Sequence, residues 1–265
     1  MKKLIFTDLD GTFLNHDDYS FASALEALHY IKENHIPLIF TTSKTKAEVI
    51  RLQQKVGIIE PFITENGAAL FIPKGYQNLE LEDLNEYEGY KVVMFGEAYS
   101  KVLEFYNQHK QEFSMKGFSD MSIDEIMQLT GFDHTNASLA KQRDFTEPFI
   151  LENTTLLLEL EEFAETQGFK ILQGGRFFHL VAKTQDKGVA VKKATELFEQ
   201  LFHDDVVTFG FGDSKNDIAM FENVDKAMII QNHYGGYVST NLPNINRSCY
   251  QGSRGFNEMV LRYVR

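Results

Sequence analysis

The sequence predicts an α/β protein with a parallel-sheet core and a second, inserted α/β domain. Three features predict it. Short apolar runs alternate with helix-period segments at the start of the chain, the same alternation returns near its end, and the rhythm changes in between.

Lys3–Thr7 and Ile36–Thr41 are short, apolar and turn-bounded, the pattern of strands buried on both faces. Between them, Ser23–Asn34 carries Leu25, Leu28 and Ile31 at helical spacing. Thr45–Val56 repeats that spacing and stops at Gly57, a residue suited to the left-handed turn after a helix. Pro61–Ile63 supplies a third short strand. Strand–helix–strand–helix–strand at this spacing is a Rossmann-like parallel sheet with crossover helices. After Pro73 the polar, acidic stretch Gly75–Tyr90 reads as a linker. Ala98–Phe113 and Ser122–Thr130 read as helices, the second opened by Ser122 and Glu125 as a capping box. Phe145–Leu151 is expected as a strand and Thr154–Gln167 as a helix closed by Gly168. Phe169–Gln173 and Phe177–Ala182 form an expected strand pair around Gly174-Gly175. The helix Lys187–Phe202 and the strand Val206–Phe211 resume the first rhythm. The expected division is therefore a core of residues 1–83 and 186–265 with an insert at 84–185.

Composition narrows the function. Among 265 residues, 38 Asp+Glu outnumber 26 Lys+Arg, a formal net charge of −12. Hydrophobic residues at 43% and charged residues at 24% make an ordinary globular balance, which excludes disordered, collagen-like and coiled-coil chains. The acidic surplus argues against nucleic acid or an anionic membrane as partner, since both reward Lys and Arg. An anionic small molecule stays open, because a pocket can be positive on an acidic protein. One cysteine, Cys249, allows no internal disulfide and fits a reducing compartment. No run approaches the roughly 18–20 apolar residues of a membrane span. Asp8 and Asp10 interrupt the apolar start before it becomes a signal sequence, so a cytoplasmic enzyme, monomer or homodimer, is expected.

Two acidic clusters each follow a strand. Asp8-Leu9-Asp10-Gly11-Thr12 closes the first, and Gly212-Asp213-Ser214-Lys215-Asn216-Asp217 follows Val206–Phe211. Ligands of open parallel sheets bind beyond the carboxyl ends of the strands. Each cluster alone has a bland reading: a turn rich in Asp and Gly, or Asp213 capping the next helix. Together they gather carboxylates whose repulsion calls for a cation, and an all-oxygen site suits Mg²⁺, with Mn²⁺ an alternative.

In order and strand context, Asp8-x-Asp10-Gly11-Thr12, Ser43, Lys187-Gly188 and Gly212-Asp213-x-x-Asn216-Asp217 resemble the four motifs of haloacid dehalogenase-like phosphatases. The insert resembles the α/β cap of their Cof-like branch. Thr42-Ser43-Lys44-Thr45, Glu65-Asn66-Gly67-Ala68, Arg143-x-x-x-Glu147-Pro148-Phe149 and Gly174-Gly175-Arg176-Phe177 resemble the mannosyl-3-phosphoglycerate phosphatases within that superfamily. The resemblance implies Asp8 as nucleophile and Asp10 as general acid and base. Ser43, favoured over its neighbour Thr42, and Lys187 would hold the phosphoryl oxygens. Mg²⁺ would sit on Asp8, Asp213 and the backbone carbonyl of Asp10, with Asn216 and Asp217 supporting the metal and orienting Lys187. Without its neighbours Lys187 would read as a surface lysine. The substrate would be a phosphorylated sugar or glycosyl-phosphoglycerate. Lys44, Glu65, Asn66, Arg143, Glu147, Arg176 and His179 are the expected contacts, with Lys141 and Gln142 nearby. Phe177 and Phe178 are read as cap core. Rival readings are a general phosphatase of hexose or sucrose phosphates, a phosphomutase of the same fold, and a non-catalytic sensor. The sensor is disfavoured because Asp8, Asp10, Lys187 and Asp213 are all present.

Overall fold

The computed structural model describes every residue except 80, 82, 83, 175 and 244. In chain order the first elements are β1 (Lys2–Thr7), α1 (Leu25–Glu33), β2 (Leu38–Thr41), α2 (Lys46–Val56), β3 (Phe62–Thr64) and β4 (Ala69–Pro73). Then come β5 (Asn85–Tyr87), β6 (Tyr90–Met94), α3 (Tyr99–His109), β7 (Met115–Gly117), α4 (Ile123–Thr130), α5 (His134–Ala140) and β8 (Glu147–Leu151). α6 (Leu157–Thr166), β9 (Phe169–Gln173), β10 (Phe178–Ala182), α7 (Lys187–Phe202) and β11 (Val206–Gly212) follow. The chain ends with α8 (Ile218–Phe221), β12 (Lys226–Gln231), β13 (Ile245–Gln251) and α9 (Gly252–Tyr263).

These strands form two sheets. The larger runs β13-β12-β11-β1-β2-β3-β4-β6-β5. Its first six members pair in parallel, and β4, β6 and β5 extend it antiparallel. The smaller, β7-β8-β10-β9, is antiparallel throughout. Both faces of the parallel sheet are covered. Ile5, Phe40, Phe62, Phe209, Phe211 and Met228 pack on one face with α1, α2 and α9. Leu4, Phe6, Ile39, Ile63 and Ile229 pack on the other with α7 and α8. Burial on both sides is why these strands are unbroken apolar runs. The second sheet buries its own cluster around Tyr106, Phe149, Leu160, Phe169 and Leu180.

Local sequence explains the helix ends. Thr45 accepts from the Glu48 amide while Glu48 returns a bond to the Thr45 amide, and Gly57 ends α2 at φ 71°. Ser122 and Glu125 do the same for α4. Asp186 caps α7 by accepting from the Val189 amide, which fixes where Lys187 begins the helix.

One expectation fails on the larger sheet. The stretch 75–90, read as a linker, carries β5 and the start of β6, and β6 pairs with β4 from Ala69↔Met94 to Pro73↔Tyr90. The insert therefore leaves the core sheet after Met94 rather than at residue 84; residue 83, the expected last residue of the first core segment, lies outside the described residues. The return is tight, because Thr184 donates its hydroxyl to the Phe95 carbonyl at 3.0 Å.

Candidate active site

The carboxyl ends of β1, β2 and β11 lie side by side, so Asp8, Ser43 and Asp213 meet although they are far apart in sequence. Together with Asp10 they line one cavity of about 630 Å³ between the two sheets. Gly11 makes the approach possible: its φ is +81°, and a Cβ there would stand 2.7 Å from Asp213 Oδ2.

Lys187 is the hub. Its side chain is fully buried, and Nζ lies 2.7 Å from both Asp8 Oδ1 and Asp217 Oδ1. Burial alone would lower its affinity for a proton, but the charges of Asp217 and Asp8 outweigh that and hold it above the ordinary lysine value. Asp217 is fully occupied, since Oδ2 accepts from the amides of Asp213 and Ser214 at 3.0 Å each. Burial pushes the Asp8 carboxyl up to about 7, opposed by Lys187 and reinforced by Asp217 and Asp10. Burial, with Asp217 and Asp8 nearby, also raises Asp213 well above the carboxylate range. Carboxylate oxygens of Asp8, Asp213 and Asp217 lie within 4.8 Å of one another.

Asp10 accepts from Lys44 through Oδ2 at 2.9 Å, while its buried Oδ1 has no partner among the described residues. Lys44 is itself buried, reaches Glu48 at 3.5 Å and lies over the rings of Tyr19 and Phe132. It lines the cavity, but its ammonium is committed to Asp10 and Glu48. The Ser43 carbonyl accepts from Arg143 Nη2 at 3.0 Å.

The expected substrate contacts divide. Arg143, Arg176 and His179 line the cavity; Glu65, Asn66 and Glu147 do not. The Glu65 carboxylate is fully buried and accepts from the amides of Asp144, Phe145 and Thr146, with Arg143 Nε at 3.2 Å. It ties the insert to the core. Asn66 is buried behind the cavity, where its Oδ1 accepts from Asn216 Nδ2 at 2.9 Å. Glu147 is buried within the insert, accepting from Ser119 at 2.6 Å and from Tyr99 at 2.6 Å. Each carboxylate is saturated by protein donors, so none is left for a substrate. Arg176 is exposed at the cavity mouth, but its guanidinium donates to the Tyr19 hydroxyl at 2.8 Å, the His16 carbonyl at 3.0 Å and the Thr130 carbonyl. It is an inter-domain bridge. Gly175, beside it, lies outside the described residues. Of the neighbours, Lys141 donates to the Met121 carbonyl within the insert.

His179 lines the cavity from β10. It is buried, Nδ1 has no partner among the described residues, and burial with Arg143 and Lys187 nearby drives the imidazole down to about 3, so it stands neutral. Phe177 also lines the cavity, edge-on to Phe118 at 4.9 Å, rather than sitting wholly in the insert's core. Sequence reasoning missed the far wall: His16, Tyr19, Lys215, His233, Tyr234 and Tyr237. The signal was available for the last three, since they follow β12, whose carboxyl end lies on the same edge as β11.

A parallel sheet gathering nucleophilic, acidic and cationic groups at its carboxyl edge, beneath an inserted domain, defines a hydrolase of the haloacid dehalogenase type. Residues 5–234 match the haloacid dehalogenase-like hydrolase family, and the chain belongs to it. Its relatives include a glucosyl-3-phosphoglycerate/mannosyl-3-phosphoglycerate phosphatase of Persephonella marina, 48% identical over 98% of this chain and 97% of that one. A mannosyl-3-phosphoglycerate phosphatase of Pyrococcus horikoshii is 32% identical over 87% of this chain and 91% of its own. Among solved structures, a Thermoplasma acidophilum protein superposes with a TM-score of 0.72 at 18% identity, covering 100% of this chain and 99% of that one. The sucrose-phosphatase of Synechocystis, solved with sucrose and phosphate, does so at 0.63 and 18% identity over 100% of this chain and 99% of its own. These last two establish the fold.

Proposed function

We propose that this enzyme is a Mg²⁺-dependent phosphatase that hydrolyses a glycosyl-3-phosphoglycerate, glucosyl or mannosyl, to the glycosylglycerate and orthophosphate. One observation carries the reading: Asp8, Asp10 and Asp213 converge at one cavity, with Lys187 paired to Asp8 from behind it, in a chain that matches a phosphatase of that description over nearly its whole length.

In this reading Asp8 attacks phosphorus and the ester oxygen departs with a proton from Asp10, leaving an aspartyl-phosphate. Asp10 then takes a proton from water, whose oxygen attacks phosphorus, frees orthophosphate and restores Asp8. Lys187 orients the Asp8 carboxylate through the 2.7 Å contact and offsets its charge as the phosphate dianion approaches. Lys44 fixes one oxygen of Asp10 and leaves the unpartnered Oδ1 to handle the proton. The Ser43 hydroxyl supports a phosphoryl oxygen, its backbone held in place by Arg143.

The donor set fits a hard divalent cation. Asp217 is consumed by Lys187 and two amides, whereas Asp8 and Asp213 crowd together with a single lysine as counter-charge. Asp8, Asp213 and the Asp10 carbonyl would hold Mg²⁺, which when bound supplies charge neutralisation between nucleophile and phosphate. In this reading the chain up to the end of β6 at Met94 and the segment 186–265 form the catalytic core, and the insert between them forms the cap that recognises the leaving group.

The test is orthophosphate release from both glycosyl-3-phosphoglycerates and a panel of simple sugar phosphates, with Mg²⁺ and with EDTA, for the wild type and Asp8→Asn. A glycosyl-phosphoglycerate preferred by orders of magnitude, silenced by EDTA and by Asp8→Asn, supports the whole reading. A simple sugar phosphate in first place overturns the substrate, and undiminished turnover by Asp8→Asn overturns the chemistry.

A further inference from the structure

One wall of the cavity comes from neither the four motifs nor the insert: the loop after β12. Its backbone is closely bonded. The Asn232 amide donates to the Gly236 carbonyl at 2.9 Å, and the Gly235 amide to the Asn232 carbonyl at 2.9 Å. Asn232 Oδ1 accepts from the amides of Tyr234 at 3.1 Å and Gly236 at 3.0 Å. Gln231 Nε2 donates to the Gly235 carbonyl at 2.8 Å, and the Tyr237 hydroxyl pins the loop to the Ser248 carbonyl at 2.7 Å. On this frame His233 stacks on His16 from the loop after β1, ring centroids 3.8 Å apart and planes 6° from parallel. Tyr234 packs against His233 at 3.7 Å, yet 84% of its surface is open.

Beyond its contact with His233 the ring is left bare at the cavity wall. It is, however, preorganised, so a ligand that covers it incurs little ordering cost. Arg176 borders this wall, its guanidinium spent on the His16 and Thr130 carbonyls and the Tyr19 hydroxyl. Arg143 lines the same cavity beside Ser43, and the stacked imidazoles with the phenol ring give it an aromatic wall. Burial, with Arg176 and His233 beside it, also lowers the affinity of His16 for a proton.

We infer that His16, His233 and Tyr234 form the subsite for the glycosyl ring, on which the C–H face of a pyranose stacks while its charged portion lies toward Arg143. This inference rests on the glycosyl-phosphoglycerate reading above. The electron-rich face of an aromatic ring attracts the positively polarised C–H bonds of a sugar face. Such a surface recognises a six-membered ring and is nearly blind to the configuration of one hydroxyl on its rim. The glucosyl and mannosyl esters, which differ in one hydroxyl, are therefore both substrates, with kcat/KM values within about threefold of each other. A single hydrogen-bonding side chain aimed at that hydroxyl would instead discriminate strongly.

The test measures kcat and KM on both glycosyl esters, with acetyl phosphate as a probe that lacks a sugar, for the wild type, Tyr234→Ala and Tyr234→Phe. Tyr234→Ala is expected to raise KM about tenfold on both glycosyl esters while kcat stays within about twofold, the signature of lost uniform binding. The ratio of glycosyl to acetyl phosphate kcat/KM falls by the same factor, and Tyr234→Phe restores it. An unchanged KM in Tyr234→Ala, an equal loss on acetyl phosphate, or no rescue by phenylalanine overturns the subsite alone. A wild type that hydrolyses acetyl phosphate but neither glycosyl ester overturns the substrate reading, and the subsite with it.

Discussion

At the scale of single residues, chemistry was legible where a side chain has one sensible use. Asp8, Asp10 and Asp213 stood out because two acidic clusters each follow a strand, Ser43 was implied by the family resemblance, and all four line the cavity. Glu65 and Glu147 are taken up by protein donors away from the cavity, and Arg176 bridges two segments at its mouth, because a charged letter does not announce its partner. Their partners, Thr146, Ser119 and the His16 carbonyl, come from distant segments brought close only by folding. Glu60 makes the same point away from the site. It is half-buried beside the Tyr76 hydroxyl, and burial pushes its carboxyl up to about 7, the Tyr76 bond opposing. The folded state therefore holds a proton that the unfolded chain releases near its ordinary value of 4.5. Stability from this group is complete below that value and is lost as pH rises to about 7. Glu60→Gln keeps the hydrogen bond without the charge, so its Tm should exceed that of the wild type by a margin that grows across this interval and levels off above it. Thermal melts in EDTA from pH 4.5 to 8 check this, and a margin constant with pH would refute it.

At the scale of elements, buried parallel strands and well-capped helices were readable, since both carry strong local signals. The hairpin of β5 and β6 was not: Asn85–Tyr87 is polar and exposed, and only the edge of an existing sheet makes it a strand. The segment between β3 and β4 is a harder case. Glu65, Asn66 and Gly67 adopt φ of 50°, 60° and 86° in succession, a left-handed run that only Gly67 adopts without steric cost. A Cβ on Gly67 would stand 2.0 Å from the Asp186 carbonyl, directly before Lys187. Gly75 has a similar φ of 74° and open space around it. Gly75→Ala should thus cost only the conformational penalty, about 1–2 kcal/mol. Gly67→Ala should cost about 3–5 kcal/mol, because overpacking adds to it. Denaturant melts of the two variants separate the contributions, and equal losses would mean that the close approach relaxes freely.

At the scale of the whole molecule, the insert is fastened on two sides that differ in kind. Near the chain crossings the fastening is buried: Glu65 with the 144–146 amides, Arg143 with Ser43, and Gln185 Nε2 with the Glu65 carbonyl at 2.9 Å. Across the cavity mouth it is exposed and sparse: Arg176 with the 16–19 loop, Tyr19 with the Thr130 carbonyl at 2.9 Å, and Lys215 with Gln173 at 3.2 Å. Were the insert to swing, the first set would serve as its hinge and the second as its latch. Arg176→Ala should leave unfolding free energy within about 0.5 kcal/mol of the wild type, as for exposed substitutions. It should enlarge the radius of gyration in small-angle scattering and raise KM. Glu65→Gln should instead lower stability by about 3–5 kcal/mol, because it leaves the Arg143 charge buried and unpaired. A loss of stability from the first variant equal to that from the second would abolish the distinction. None of this asymmetry was visible in the sequence, where the two arginines looked alike.

The bond from Thr184 to the Phe95 carbonyl places the entry and exit of the insert in contact on the core surface. For the history of such a protein this has a plain meaning. A gene segment whose two ends emerge at one point can be excised, shortened or replaced by recombination without stretching what remains. The groups that handle the phosphate would be inherited intact through such an exchange, while the segment above them was traded for another. Lineages sharing this core could thus acquire new leaving groups by transplantation, without slow remodelling of the sheet.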